Sequence, residues 1–145
     1  MSVASNVSTD TDAAANKELM QRIFDALAAG DARPLYESFS DDVSWTIKGN
    51  TAWSKTYAGK PAVVALLAAL GAQFAGRYRA TAHSFIAEGD RVVVEYSGNV
   101  TTKAGAPYNN AYCIIYRLVA GKIRELTEYC DTELISTALS EPQST

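Results

Sequence analysis

The chain has 145 residues, 48% apolar and 20% charged, which fits one globular domain able to bury a core without a metal or a disulfide framework. Its formal net charge is -3 and its basic residues form no run, which argues against a nucleic-acid partner. A single histidine, His83, and two cysteines outside any CxxC pair argue against a zinc site built from Cys and His.

The opening residues are rich in Ser, Thr, Asn and Asp, and lack the basic start and apolar stretch of a secretion signal. Residues 1–14 therefore read as a tail, 15–139 as one domain and 140–145 as a second tail. The apolar stretch Ala62 to Ala69 is too short to span a bilayer. A soluble cytoplasmic protein is expected, with free thiols and no membrane partner.

A first helix is predicted from Asp12 to Ala29. Leu19, Ile23, Phe24 and Leu27 form its apolar stripe, with Met20 at the edge. Gly30 stops it, and Asp31 can cap a short second helix carrying Leu35, Tyr36 and Phe39. Val43 to Ile47 reads as a strand, followed by a long loop through Gly49, Trp53 and Gly59. Pro61 suits the first turn of a third helix, whose stripe is Val63, Leu66, Leu67, Leu70 and Phe74, ended by Gly76. Four strands follow: Arg79 to Ala87, Arg91 to Thr101, Tyr108 to Val119 and Lys122 to Asp131. A last short helix covers Thr132 to Leu139. Helices first and an antiparallel meander after them make an α+β chain.

The last hairpin carries the candidate site. With Ala120 and Gly121 as the turn, Val119 faces Lys122, and regular pairing sets Asn110 opposite Asp131, Tyr112 opposite Tyr129 and Ile114 opposite Thr127. Those six side chains then share one face, mixing aromatic walls with polar tips as ligand pockets do. Asp131 is the candidate proton carrier, since burial raises a carboxyl pKa. The bland alternative is that Asp131 caps the following helix and Asn110 satisfies backbone groups. The same pairing puts Cys113, Cys130, Ile115 and Glu128 on the other face, with the cysteines diagonal and poorly placed for a disulfide.

The segments Ala29-Gly30-Asp31, Phe39 to Val43, Asn110-Ala111-Tyr112, Gly121-Lys122-Ile123 and Glu128 to Thr132 together resemble SnoaL-like proteins, over roughly Lys17 to Leu139. These belong to the superfamily of ketosteroid isomerase, limonene epoxide hydrolase and nuclear transport factor 2. The resemblance implies a cone-shaped (cystatin-like) α+β fold. Three N-terminal helices pack on a strongly bent, mostly antiparallel sheet that encloses a pocket, and dimers form through the outer face of the sheet. Aligned to this sequence, the isomerase's base, oxyanion tyrosine and protonated acid fall at Ile47, Ile23 and near Ile114. Of the epoxide hydrolase's machinery only one aspartate matches, at Asp131. The other positions fall at Glu95, Ser97, Trp45 and Ile47. Neither reaction is expected by those mechanisms. An acid–base aspartate of the polyketide cyclases lies near Asp131.

The remaining candidates border the same region. Trp45 and Trp53 flank the loop after the first strand and offer flat walls to a ring-shaped ligand, or pack in the core. His83 sits on a strand as either a general base or a packed or surface residue. Glu95 and Glu128 either face inward or pair with arginines. The chain is thus expected to hold a small hydrophobic ligand without metal or organic cofactor. Either it performs acid–base chemistry of isomerase, cyclase or hydratase type, with Asp131 catalytic and Asn110, Tyr112, Tyr129, Trp45, Trp53, His83 and Glu128 binding, or it is a non-catalytic binding domain.

Overall fold

The computed structural model describes the backbone of residues 2–143 and the side chains of residues 12–143. Among these residues, four helices and six strands follow in the order α1 (Ser2–Ala28), α2 (Arg33–Ser38), β1 (Phe39–Ile47), β2 (Thr56–Ala58), α3 (Lys60–Gly71), β3 (Arg79–Glu88), β4 (Arg91–Asn99), β5 (Ala111–Val119), β6 (Lys122–Cys130) and α4 (Thr132–Ala138). The strands form one curled sheet in the order β2-β1-β6-β5-β4-β3. Only β1 and β6 run parallel; every other pair is antiparallel. Helix α1 packs across β3 and β4, and α3 packs across β1 and β2. The cone-shaped α+β fold is therefore present.

Side-chain alternation explains the sheet's two faces. Val43, Trp45 and Ile47 of β1, Val92, Val94 and Tyr96 of β4, and Ile114, Tyr116 and Leu118 of β5 all turn inward and are buried. They meet Met20, Ile23, Phe24 and Leu27 of α1, each at most 7% exposed. Met20 is fully buried and Leu19 only partly so, which reverses their expected places on the stripe.

Several boundaries differ from the sequence expectation, each for a local reason. Helix α1 begins at Ser2, well before Asp12, where no proline or glycine interrupts the helical backbone. Ala32, not Asp31, is the cap residue of α2; Asp31 instead accepts the Arg33 backbone N–H at 3.0 Å. Phe39 leaves the helix with extended backbone and opens β1. Helix α3 stops at Gly71, where glycine is a poor helix former, and Phe74 pairs with Thr102 in an isolated bridge. The short strand β2 lies in the expected loop, paired on β1 through Trp45 and Tyr57. Ser140, at the expected start of the C-terminal tail, is tied down by Gln73 and by the Trp53 indole. Residues 144–145 of that tail lie outside the described residues. Among the described residues, no helix is long and apolar enough to cross a membrane.

The decisive difference lies in the last hairpin. Its turn is as expected: Val119 faces Lys122, and Ala120 and Gly121 both take positive φ, at 52° and 77°. Three residues later β6 carries one extra residue, Arg124, so that Leu118 pairs with Ile123 but Arg117 pairs with Glu125. This β-bulge shifts the pairing beyond it by one: Tyr112 faces Cys130, Cys113 faces Tyr129 and Ile114 faces Glu128. A one-residue slip exchanges the two faces of a strand. The expected inward set Tyr129, Thr127 and Asp131 is corrected accordingly. Leu126, Glu128 and Cys130 point inward instead. On the outer side Arg124 forms an exposed ion pair with Asp42 of β1 at 3.1 Å.

Candidate functional site

Between the helices and the inner face of the sheet lies a cavity of about 260 Å³. Strand β1 contributes Trp45 and Ile47, β4 contributes Tyr96, β5 contributes Tyr112 and Tyr116, and β6 contributes Glu128. Helix α3 adds Leu67 and Leu70, and the segment after it adds Phe74 and Tyr78. Trp53, Tyr108 and Tyr36 complete the aromatic lining, while Ile135 and Leu139 close the wall from α4 and just beyond it.

Among the described residues, Glu128 is the one carboxyl group on this wall, and it is only 6% exposed. The Trp45 indole N–H donates to its Oε1 at 3.0 Å. Burial raises its pKa above the ordinary carboxylate range. Hydrogen bonds from Trp45 and from the Cys130 thiol partly oppose that rise. Expected to pair with an arginine or face inward, Glu128 faces inward and has no arginine. The same burial, reinforced by the Glu128 charge, pushes the Cys130 thiol well up, so it stays protonated.

The phenols form the polar part of the lining. Tyr96 and Tyr112 occupy paired positions on adjacent strands, and their rings stack at 4.6 Å between centroids. Phe74 stacks between Tyr78 and Tyr108, with centroids 5.9 Å and 6.0 Å away. Tyr78 reaches over the sheet because residue 98 is glycine; a Cβ there would meet its ring carbons at 2.8 Å. Burial pushes the Tyr108 hydroxyl to about 12, and those of Tyr78, Tyr96, Tyr112 and Tyr116 also well up. All of them are therefore neutral hydrogen-bond donors at ordinary pH.

Of the residues singled out by sequence, Tyr112, Trp45, Trp53 and Glu128 line the cavity. Asp131 does not: it is exposed and caps α4, accepting the Leu134 N–H at 3.3 Å. Tyr129 is 47% exposed on the outer face. His83 is the extra residue of another bulge in β3, exposed, with Nε2 2.8 Å from the Ser97 hydroxyl. It is not aligned across from Tyr96, which pairs with Ala82. Asn110 is fully buried behind the wall. Its amide clamps both backbone groups of Asp131, at 3.1 and 3.2 Å, and donates to the Tyr108 hydroxyl at 3.2 Å. Cys113 lies on the outer face and Cys130 on the inner, not on one face together. Glu95 is exposed and accepts from the Ser84 hydroxyl at 2.7 Å rather than from an arginine.

Sequence reading missed Tyr36, Tyr78, Tyr96, Tyr108 and Tyr116 as cavity residues. A signal existed instead for the register of β6. Ile123 and Leu126 are both strongly apolar yet oddly spaced, and no regular strand buries both. One extra residue between them resolves the conflict, and it turns Glu128 toward Tyr112. Among the described residues, no group of three His, Cys, Asp or Glu side chains is placed to hold a metal ion.

Four helices on a curled six-stranded sheet, with a cavity between the layers, define the nuclear transport factor 2-like class. Residues 20–126 match the SnoaL-like domain, and the chain belongs to that family. It is 27% identical over 115 residues to an uncharacterized protein of Mycobacterium tuberculosis, a match covering 79% of this chain and 88% of that one. Among solved structures it is similar to a proposed SnoaL-like polyketide cyclase from Jannaschia sp. CCS1, with TM-score 0.70 and 21% identity over 88% of this chain and 93% of the other. It is also similar to a proposed isomerase from Bacillus subtilis, with TM-score 0.73 and 17% identity over 93% and 99% of the two chains. At such identities the likeness to these structures is one of fold.

Proposed function

We propose that the chain is a cofactor-independent acid–base enzyme of isomerase, cyclase or hydratase type acting on a small hydrophobic substrate. Glu128, not Asp131, is the proton carrier in this reading. The observation that carries it is a single carboxyl group, buried on the wall of an aromatic cavity and held in one orientation by the Trp45 indole. A carboxyl whose pKa is raised by burial exchanges protons more readily near neutral pH than an ordinary one. Glu128 would take a proton from carbon beside a carbonyl, and a phenol from Tyr78, Tyr108 or Tyr112 would donate a hydrogen bond to the oxygen that gains charge. The resemblance to cyclase-like and isomerase-like structures supports the same class.

A direct test needs no known substrate. The protein is incubated in D₂O with a panel of cyclic ketones and unconjugated enones, and deuterium at the α-carbon is followed by NMR. Wild type should exchange at least one compound above the buffer rate, while Glu128→Gln, still folded by circular dichroism, should not. Equal exchange by the variant would remove Glu128 from the chemistry.

The second reading is a non-catalytic binding domain for a hydrophobic metabolite. It is favoured by the isoleucines at the positions aligned with the isomerase's three functional groups, Ile23, Ile47 and Ile114, all buried. Saturable binding of a compound that never exchanges would favour it.

A further inference from the structure

Among the described residues, Glu128 is the only charged side chain on the cavity wall, and no lysine, arginine or histidine lines that wall. Its hydrogen-bond partners, the Trp45 indole and the Cys130 thiol, are both neutral. The basic groups of the outer hollow, which shares Gly30, Ala32 and Tyr36 with the cavity, are turned elsewhere. Arg33 binds Asp31 with both of its bonds at 3.0 Å, and Arg77 donates to the Gly30 carbonyl at 3.3 Å. A carboxylate this buried is costly without a compensating positive charge. Either a proton or a cation brought from outside must supply it.

The rest of the wall suits a cation. Tyr36, Trp45, Trp53, Tyr78, Tyr96 and Tyr112 all line the cavity. Aromatic faces attract positive charge through the ring quadrupole, most strongly where water is excluded. Burial keeps the phenols of Tyr78, Tyr96 and Tyr112 protonated, so none of them competes as an anion. An anionic ligand would meet Glu128 with no basic group to receive it.

We propose that the cavity takes a small apolar molecule bearing a positively charged nitrogen, an alkylammonium or arylammonium, with Glu128 as its counter-ion and the aromatic side chains around its head. This rests on the cavity being a ligand site, and not on Glu128 exchanging a proton with carbon. The cavity of about 260 Å³ limits the apolar body to a compact ring system.

Isothermal titration calorimetry of the full chain at neutral pH tests it, with 1-adamantylamine and the neutral 1-adamantanol as probes of similar shape. The ammonium should bind at least about tenfold more tightly than the alcohol, a preference of the size expected for a charge-assisted contact. In Glu128→Gln, and in Glu128→Met as a second neutral variant, the two probes should come within about twofold of each other. Equal or tighter binding of the alcohol by wild type would overturn the proposal while leaving the cavity a ligand site. Survival of the preference in both variants would also overturn it, since the charge would then be read elsewhere. No heat from either probe would overturn the proposal and count against the ligand-site reading as well.

Discussion

The two faces of the β5–β6 hairpin carry different chemistry. The inner face carries Tyr112, Ile114 and Tyr116 against Leu126, Glu128 and Cys130, and forms part of the cavity wall. The outer face carries Cys113, Ile115 and Arg117 against Glu125, Thr127 and Tyr129. Arg117 there reaches Glu125 and Asp90, both at 2.9 Å, in partly exposed ion pairs of the kind that contribute little. Both faces come from the same eighteen-residue pair of strands, and a single inserted residue decides which side chains go to which. A strand's sequence thus names two sets of side chains, and the register alone says which set is the site.

The largest way to break this contrast is Leu126→Ala, at an inner-face position only 1% exposed. Losing a buried leucine from the core costs about 2–5 kcal/mol, so the stability read from urea unfolding should fall by that much, while Thr127→Ala on the outer face should change it far less. An unchanged stability in Leu126→Ala would place that side chain on the outer face, where pairing without the bulge would put it.

A smaller effect sharpens the inner face. Burial raises the Glu128 pKa in the folded chain, so the folded state holds that proton more tightly than the unfolded state, where the ordinary value is 4.5. The resulting stability is fully present below pH 4.5 and is lost as pH climbs through the raised folded value. Measured against Glu128→Gln, wild type should lose up to about 1.4 kcal/mol per pH unit across that window, and the variant should be the more stable above it. Parallel stability curves for the two proteins would contradict an effect of burial on this carboxyl.

The smallest effect belongs to the outer face. Tyr129→Arg removes an exposed ring, and within one chain such changes shift stability by only about 0.5 kcal/mol. We propose that copies of the chain pair through this face, where Ile86 and Tyr129 stand 62% and 47% exposed. Sedimentation equilibrium should then give a two-chain mass for wild type and a one-chain mass for Tyr129→Arg. A one-chain mass for both would end that reading.

The legible parts of the sequence were those written in local chemistry. Apolar spacing located α1 and α3, Pro61 opened α3, and Ala120-Gly121 placed the last turn. From these the α+β order followed, and the motifs from Ala29 to Thr132 pointed to the right family. What failed was long-range register. Counting outward from a correct turn put Asp131 and Tyr129 inside, because regular alternation has no way to announce an extra residue. Only the tension between Ile123 and Leu126 marked it, and no local motif names Arg124 as the extra residue. The same limit hid Tyr78 and Tyr96. The first lies outside any strand, and it is admitted to the wall by a missing side chain at Gly98. The second sits one strand further from the turn than the hairpin that was counted.

The indole of Trp45 ends on the oxygen of the very carboxyl that decides the character of the cavity. An indole hydrogen-bonded to a charged acceptor and one bonded to a neutral acid absorb and emit differently. The molecule therefore carries its own dye beside a buried carboxyl, and the ionic state of the hollow becomes visible as a colour shift in the near ultraviolet, without label or probe.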